Sequence, residues 1–364
     1  MSGMRVLLTT DAVGGVWQYS IELARGLVAL GAQPIVAILG PPPSDMQRAE
    51  AAVIRGAQWI ETEWPLDWLC SDAAPVNAAG AELAKLATRL DVDIVHANMP
   101  TLLAEARFAQ PVVAVTHGCV ATWWAAARAA PLAPQYRWHE ALTARALRRA
   151  DRVIAPSRSY AECVRRHYRL PSAPATVFNG RLRLDGGGRA APHDCALTVG
   201  RLWDEVKNAG TLDAAASRLA IPFHAAGAVR GPHGETARLE HLHVLGELGT
   251  RYLARRLARR PVFVSAARFE PFGLAVLEAA AAGCPLILSD IATFRELWDG
   301  AAIFVDPNDV DGFADAIEAV IRDAEWRAML GSAAETRAAR YVPDATASAM
   351  IAQYRRLLAT QVAA

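Results

Sequence analysis

A chain of 364 residues is long enough for two domains of ordinary size, and a hydrophobic content of 53% can fill two cores. Charged residues make up 21% and the formal net charge is +1. That balance excludes any whole-molecule attraction to nucleic acid or acidic partners, so an anion site has to be local. The five cysteines (Cys70, Cys119, Cys163, Cys195 and Cys284) are scattered, odd in number and form no C-x-x-C. They point to buried thiols in a reducing compartment. The opening "MSGMRVLLTT" enters a strand at once and lacks the pattern of a signal peptide. No run of about 18 apolar residues is present, so nothing is expected to span a membrane and the expected location is cytoplasmic.

In chain order, "MRVLLTT" reads as a strand, "GGVWQYSIELARGLVALG" as a helix closed by Gly31, and "QPIVAIL" as a strand. "VDIVHAN", "PVVAVTHG" and "DRVIAPS" follow, each an unbroken apolar run with polar residues at its end. Unbroken runs are buried on both faces, as in parallel sheets, and their alternation with helices means βαβ units. The pattern restarts with "CALTVGR", "PFHAAGA", "LHVLGEL", "PVFVSAA", "PLILSD" and "AIFVD". Between the two sets, "FNGRLRLDGGGRAAPHD" has no apolar period. The expected organisation is an N-terminal Rossmann-like domain over 1–178, a link over 179–194 and a second such domain over 195–343. "DATASAMIAQYRRLLATQ" adds a last amphipathic helix, about 344–364. The fold class is α/β, with two doubly wound parallel-sheet domains. Facing each other, they leave a cleft at the carboxyl ends of their strands, where open α/β sheets bind ligands.

The polar residues at strand ends are the candidates. Gly14 and Gly15 sit at a loop-to-helix junction, where close backbone approach and free N–H groups suit a phosphate, although the G-x-G-x-x-G spacing of dinucleotide binders is missing. His117, in "THG", and His96, in "VDIVHAN", read either as structural histidines or as site residues. Arg201 ends a strand and Lys207 follows six residues on, within reach of one diphosphate; such charge-assisted contacts are each worth about 1.5–3 kcal/mol. In "RFEPFGLAVLEAAAAGCPLI", Pro271 suits the first helical position, which sets Glu270 at the helix entrance and Glu278 about two turns inside. Eight helical steps leave about 80° between the two glutamates, so they bracket a long ligand rather than share one hydroxyl. The other reading pairs Glu278 with an arginine and leaves Glu270 on the surface. His241 and His243, on one face of a strand, are the one hint of a metal, and no metal site or cofactor is expected.

These residues resemble the retaining GT-B glycosyltransferases of family 4 over essentially the whole chain. The motifs are "GG" at 14–15, "THG" at 116–118, "ADRVIAPS" at 150–157, "VFNG" at 177–180, "VGRLWDEVKN" at 199–208 and, above all, the E-x7-E run from Glu270. The resemblance implies that Glu270 contacts hydroxyls of the donor sugar while backbone N–H groups around Phe272, Gly273 and Leu274 hold sugar and phosphates. It implies that Glu278 holds the ribose, Arg201 and Lys207 the diphosphate, Gly15 a phosphate from the other domain, and His117 the region of the anomeric carbon. The backbone at Leu245 and Gly246 would read the base, and the last helix would cross back to the first domain. Two features depart from the pattern: "NGRLRLDGGG" replaces the usual Val-Asp after Asn-Gly, and "VSAARFE" replaces the usual Pro-Ser, so Ser265 matches only approximately.

The implied reaction moves a sugar from a UDP- or GDP-sugar to a hydroxyl of a glycan, lipid-linked or small-molecule acceptor. The resemblance implies that configuration is kept by a front-face route in which the leaving diphosphate helps deprotonate the acceptor hydroxyl; for a double displacement the first domain offers no obvious carboxylate except Asp11. Arg201 and Lys207 stabilise the departing phosphate without a metal. Trp123 and Trp124, amid arginines, suit peripheral contact at an inner membrane face, a core helix or a sugar-stacking wall. A nucleotide-sugar epimerase and a non-catalytic binding protein on the same fold are the rival readings.

Overall fold

The computed structural model describes residues 3–128, 130–188 and 190–362. The first two residues of the opening stretch, one residue of the 179–194 link and the last two of the terminal helix lie outside them. The described residues form two compact units, one comprising Met1–Gly180 with Val342–Ala364, the other Arg181–Tyr341. Residues 181–194 thus go with the second unit and the terminal helix with the first.

The first unit holds seven strands: β1 (Arg5–Asp11), β2 (Gln33–Leu39), β3 (Gln58–Glu61), β4 (Ile94–Ala97), β5 (Val112–Val115), β6 (Arg152–Ala155) and β7 (Ala175–Thr176). They pair in parallel in the order β3-β2-β1-β4-β5-β6-β7. The second unit holds β8 (Ala196–Val199), β9 (Phe223–Ala226), β10 (His243–Gly246), β11 (Val262–Ser265), β12 (Leu286–Ser289) and β13 (Ile303–Val305). Their order is β10-β9-β8-β11-β12-β13, again parallel. Both sheets reverse direction between their first and fourth strands, β1 beside β4 and β8 beside β11. At such a switch point the following loops diverge and open a crevice outside the carboxyl ends. The strands read from the apolar runs are all present. The short edge strands β3 and β7 are additions, too brief and too little buried to give a clear apolar run.

The unbroken runs are buried as a parallel sheet requires: Val6, Leu7 and Leu8 of β1 and Val262, Phe263 and Val264 of β11 expose 0–1% of their surface. The helix Gly15–Ala29 packs Trp17, Ile21 and Leu27 onto the first sheet, and the terminal helix Pro343–Val362 adds Ala347, Met350, Ile351 and Tyr354 to the same core. No helix of the described residues is long and apolar enough to cross a membrane.

The chain leaves the first unit beside the point where it re-enters. A Cβ on Gly180 would stand 2.3 Å from the carbonyl carbon and oxygen of Val342 and 2.5 Å from the nitrogen of Pro343. Those neighbours are backbone and cannot rotate away, so Gly180→Ala forces the two segments apart. Overpacking of this kind costs about 1–3 kcal/mol, and a urea unfolding midpoint unchanged from wild type would contradict the contact.

Candidate functional site

In the second unit the carboxyl ends of β8 and β11 carry the charged candidates. Arg201 follows β8; its Nη2 donates to Asp204 at 2.7 Å, and its guanidinium lies 5.6 Å from the Trp203 ring centre. Half the Arg201 side chain remains exposed while Asp204 is almost fully buried. Asp204 also caps the single turn Glu205–Lys207 by accepting from the Val206 N–H at 3.3 Å. That turn carries Lys207, whose Nζ donates to Glu270 Oε2 at 2.5 Å. The pair spans 63 residues and keeps 23% and 17% of its side-chain surfaces accessible. It is partly wet, and both partners remain open to a third group.

Asn208 fixes this arrangement. It sits in the left-handed region at φ 56°, and its Nδ2 donates to the carbonyls of Ala266 at 3.1 Å and Pro307 at 2.6 Å. The Arg268 N–H donates to Val206 O at 2.8 Å. Together these bonds fasten the Lys207 turn to the loops after β11 and β13, and the first of these brings Glu270 to Lys207.

The helix after Glu270 begins later than the sequence suggests. It runs Leu274–Ala281, with Gly273 at φ +94° as its N-cap and Gly273 O accepting from the Leu277 N–H at 3.1 Å. A left-handed residue cannot continue a right-handed helix, so Pro271 is not at its first position and Glu270 and Phe272 lie in the loop. The 80° helical separation of the two glutamates therefore does not apply. Phe272 is buried edge-on to Tyr341 at 5.7 Å. The first turn has no acidic residue and no side-chain cap, which leaves its N–H groups to an anion.

Glu278 lies in the second turn of that helix and is ion-paired: Arg181 Nε donates to its Oε1 at 2.8 Å, with side chains only 6% and 11% exposed. The pairing reading thus holds for Glu278, whereas Glu270 is not a bare surface residue. Leu245 and Gly246 close β10, and the Gly246 carbonyl already accepts from the Gly227 N–H at 2.8 Å, which occupies one of the backbone groups offered for reading a base. His243 opens β10 and His241 precedes it, so the two do not share a strand face. Among the described residues no group of three His, Cys, Asp or Glu could hold a metal. A small recess at the amino ends of β8 and β9, lined in part by Cys195, His224, Arg256 and Arg259, contains none of the candidates.

In the first unit Gly14 is the extended N-cap of helix Gly15–Ala29, with no side-chain cap, no acidic residue in the first turn and open space where a Cβ would be. Asp11 turns back on its own loop, its Oδ1 accepting from the Val13 N–H at 2.9 Å. His117, after β5, is partly exposed; its Nε2 meets Asn98 Oδ1 at 2.8 Å and its ring packs edge-on to Tyr19 at 4.5 Å. His96, in β4, is fully buried, with Nε2 3.0 Å from the same Asn98 oxygen and Nδ1 2.6 Å from the Tyr354 hydroxyl. Burial pushes His96 down to about 4. Burial, with the neighbouring His96, pushes His117 to about 3. Both rings are neutral at neutral pH. Trp124 donates from Nε1 to the carbonyls of Ala130 and Pro131 and packs on Tyr136 at 5.7 Å, so it braces its own loop.

Asn98, Asp204, Asn208, Arg181 and Tyr354 were not singled out by sequence. Asp204 and Asn208 lie inside the "LWDEVKN" motif, where a polar residue flanking a cationic turn is a readable cap signal. Arg181 and Tyr354 act across long separations and leave no local trace.

Two family models match the chain: Glycosyltransferase Family 4 over residues 13–180 and Glycosyl transferases group 1 over residues 194–323. Among curated proteins, the O-antigen chain mannosyltransferase B of Escherichia coli is 33% identical over 86 residues, 24% of this chain and 23% of that protein. The D-inositol 3-phosphate glycosyltransferase of Frankia alni is 34% identical over 91 residues, 24% and 22% of the two. The matched segments thus span under a quarter of those relatives. Among solved structures, sucrose-phosphate synthase from Thermosynechococcus elongatus superposes with a TM-score of 0.80 at 19% identity, covering 98% of this chain and 100% of that one. Anabaena Alr3699/HepE in complex with UDP gives 0.72 at 16% identity, covering 97% and 100%. These low identities speak for the fold, and the two family models speak for the lineage: with both sequence signatures carried on a pair of Rossmann-type sheets, the chain belongs to the family 4, group 1 glycosyltransferases of the GT-B fold.

Proposed function

We propose that this glycosyltransferase takes its sugar from a nucleoside diphosphate donor, UDP- or GDP-linked, and delivers it with retained configuration to a hydroxyl of a glycan, lipid-linked or small-molecule acceptor. The carrying observation is the Lys207–Glu270 pair at the β8/β11 switch point, with Arg201 on the same loop. A departing diphosphate develops negative charge, and preorganised cations placed where it grows lower the barrier without reorganising. Lys207 is held by Glu270 in the protein as it stands, and half-exposed Arg201 turns on Asp204. Both are positioned before a ligand arrives.

In this reading Glu270 receives sugar hydroxyls while the N–H groups from Gly273 and Leu274 onward face the phosphates. Glu278, anchored by Arg181, holds the ribose, and Leu245 and Gly246 border the base. By the family resemblance, Gly14 and Gly15, an open helix start in the first unit, are assigned to a phosphate and His117 to the sugar. Because His117 is neutral, the positive charge comes from Arg201 and Lys207 alone. The UDP bound by the Anabaena structural neighbour supports a nucleotide ligand. The test is calorimetric titration of the purified protein with a set of UDP- and GDP-sugars, followed by donor hydrolysis assays. One donor is expected to bind in the micromolar to millimolar range, and Glu278→Ala to weaken it at least about tenfold. Absence of binding and turnover across the whole set rejects the proposal.

A further inference from the structure

We propose that Asn98 is the positioning residue that fixes the proton of His117 on Nε2, so that His117 meets a sugar hydroxyl through Nδ1 as a hydrogen-bond acceptor. The amide of Asn98 has one possible orientation. Its Nδ2 lies 2.7 Å from the Thr9 carbonyl oxygen, which can only accept, so that atom is the NH2 group and the orientation of the amide is settled. A second Nδ2 contact, to Ser20 Oγ at 3.3 Å, and the Asn98 N–H bond to Thr9 Oγ1 at 2.9 Å hold the side chain in place. Oδ1 therefore faces both histidines, and an amide oxygen has no proton to give. His96 Nε2 at 3.0 Å and His117 Nε2 at 2.8 Å must both be N–H donors.

The other end of His96 agrees. With its proton on Nε2, Nδ1 carries a lone pair, and the Tyr354 hydroxyl donates to it at 2.6 Å. Tyr354 is fully buried on the terminal helix. One run of hydrogen bonds thus leads from Tyr354 through His96 to Asn98 and on to His117, with a proton for every acceptor. Only His117 reaches the surface. Its Nδ1 has no partner among the described residues and is not one of the enclosed, unsatisfied polar atoms. The group it presents outward is a bare lone pair. A lone pair accepts from a hydroxyl and repels a phosphate oxygen, which assigns His117 to the carbohydrate rather than to the diphosphate. The assignment to a carbohydrate rests on the nucleotide-sugar donor proposed above; the position of the proton does not.

The experiment is long-range proton–nitrogen correlation NMR on the full chain labelled with 15N-histidine, with signals assigned through His96→Gln and His117→Gln. Wild type is expected to show protonated Nε2 and bare Nδ1 for both rings. Asn98→Leu is expected to move His117 to a mixture with protonated Nδ1, and Asn98→Asp in its protonated form, whose Oδ1 accepts and whose Oδ2–H replaces the donor to the Thr9 carbonyl, to restore the original pattern. Protonated Nδ1 on His117 in wild type overturns the proposal, as does an unchanged His117 pattern in folded Asn98→Leu. If neither variant folds, the wild-type spectrum decides. With a donor in hand, Asn98→Leu should lower kcat/KM by about tenfold, the worth of one hydrogen bond; an unaltered value rejects the acceptor role. Failure to find any donor overturns the nucleotide-sugar reading and leaves the tautomer result standing.

Discussion

Replacing Lys207 by alanine is expected to lower glycosyl turnover by about 10²–10³, with a smaller effect on donor affinity. The effect is differential. In the ground state of the proposed donor complex the diphosphate already carries its charge and Arg201 would still help to hold it. In the transition state one more charge grows on the leaving oxygen, and the rigidly held Lys207 is the cation nearest Glu270, the assigned sugar contact. The substitution also removes the cation that Glu270 accepts from, but that pair is partly solvated, so stability should fall by only about 1 kcal/mol. Turnover and urea unfolding of Lys207→Ala, measured together, separate the two effects. Turnover within tenfold of wild type would sink the catalytic assignment, whereas a large loss of stability would mean that the pair is structural.

Arg181→Ala is expected to be among the most damaging single changes to the stability of the second unit, costing about 3–5 kcal/mol. The guanidinium and the Glu278 carboxylate are 2.8 Å apart and almost sealed from water. Truncating one partner strands a charge that solvent cannot easily reach, and the missing attraction is compounded by an uncompensated desolvation penalty. Replacing both partners, as Arg181→Met with Glu278→Leu, should recover most of the loss, because an apolar pair of similar volume needs no counter-charge. Denaturant unfolding of the single and double variants checks this, and equal midpoints for Arg181→Ala and wild type would show the pair to be dispensable. The same contact bears on function, since one oxygen of Glu278 is committed to Arg181 before any nucleotide arrives. Under the proposed donor reading, Arg181 would set the angle at which the carboxylate meets a ribose.

Much of the framework is legible because parallel sheets write themselves plainly. A strand buried on both faces has to be apolar along its whole length, so "RVLLTT" and "VFVSAA" announce themselves, and the polar residue after each marks the carboxyl edge. The charged motif residues were legible for the same reason: Arg201, Lys207 and Glu270 all follow such runs. The partners of those residues were not. Glu270 is joined to Lys207 across 63 positions, Glu278 to Arg181 across 97 and His96 to Tyr354 across 258. No local period encodes a contact set by how two distant segments pack. The start of the helix after Glu270 was misplaced because Pro271 is a strong local signal for a first helical turn. The left-handed backbone of Gly273, two residues on, overrides it.

The second unit is one uninterrupted stretch, while the first is split, its closing helix lying beyond residue 341. Order of synthesis then matters. Residues 181–341 need no later segment to complete their unit, but the earlier 180 residues lack Ala347, Met350, Ile351 and Tyr354 until residues 343–362 have been made. The half that begins first is completed last, and until then His96 has no phenol to bond and the flank of helix Gly15–Ala29 stays bare. A released chain truncated after Tyr341 should therefore present a protease-resistant second unit behind a protease-sensitive first one.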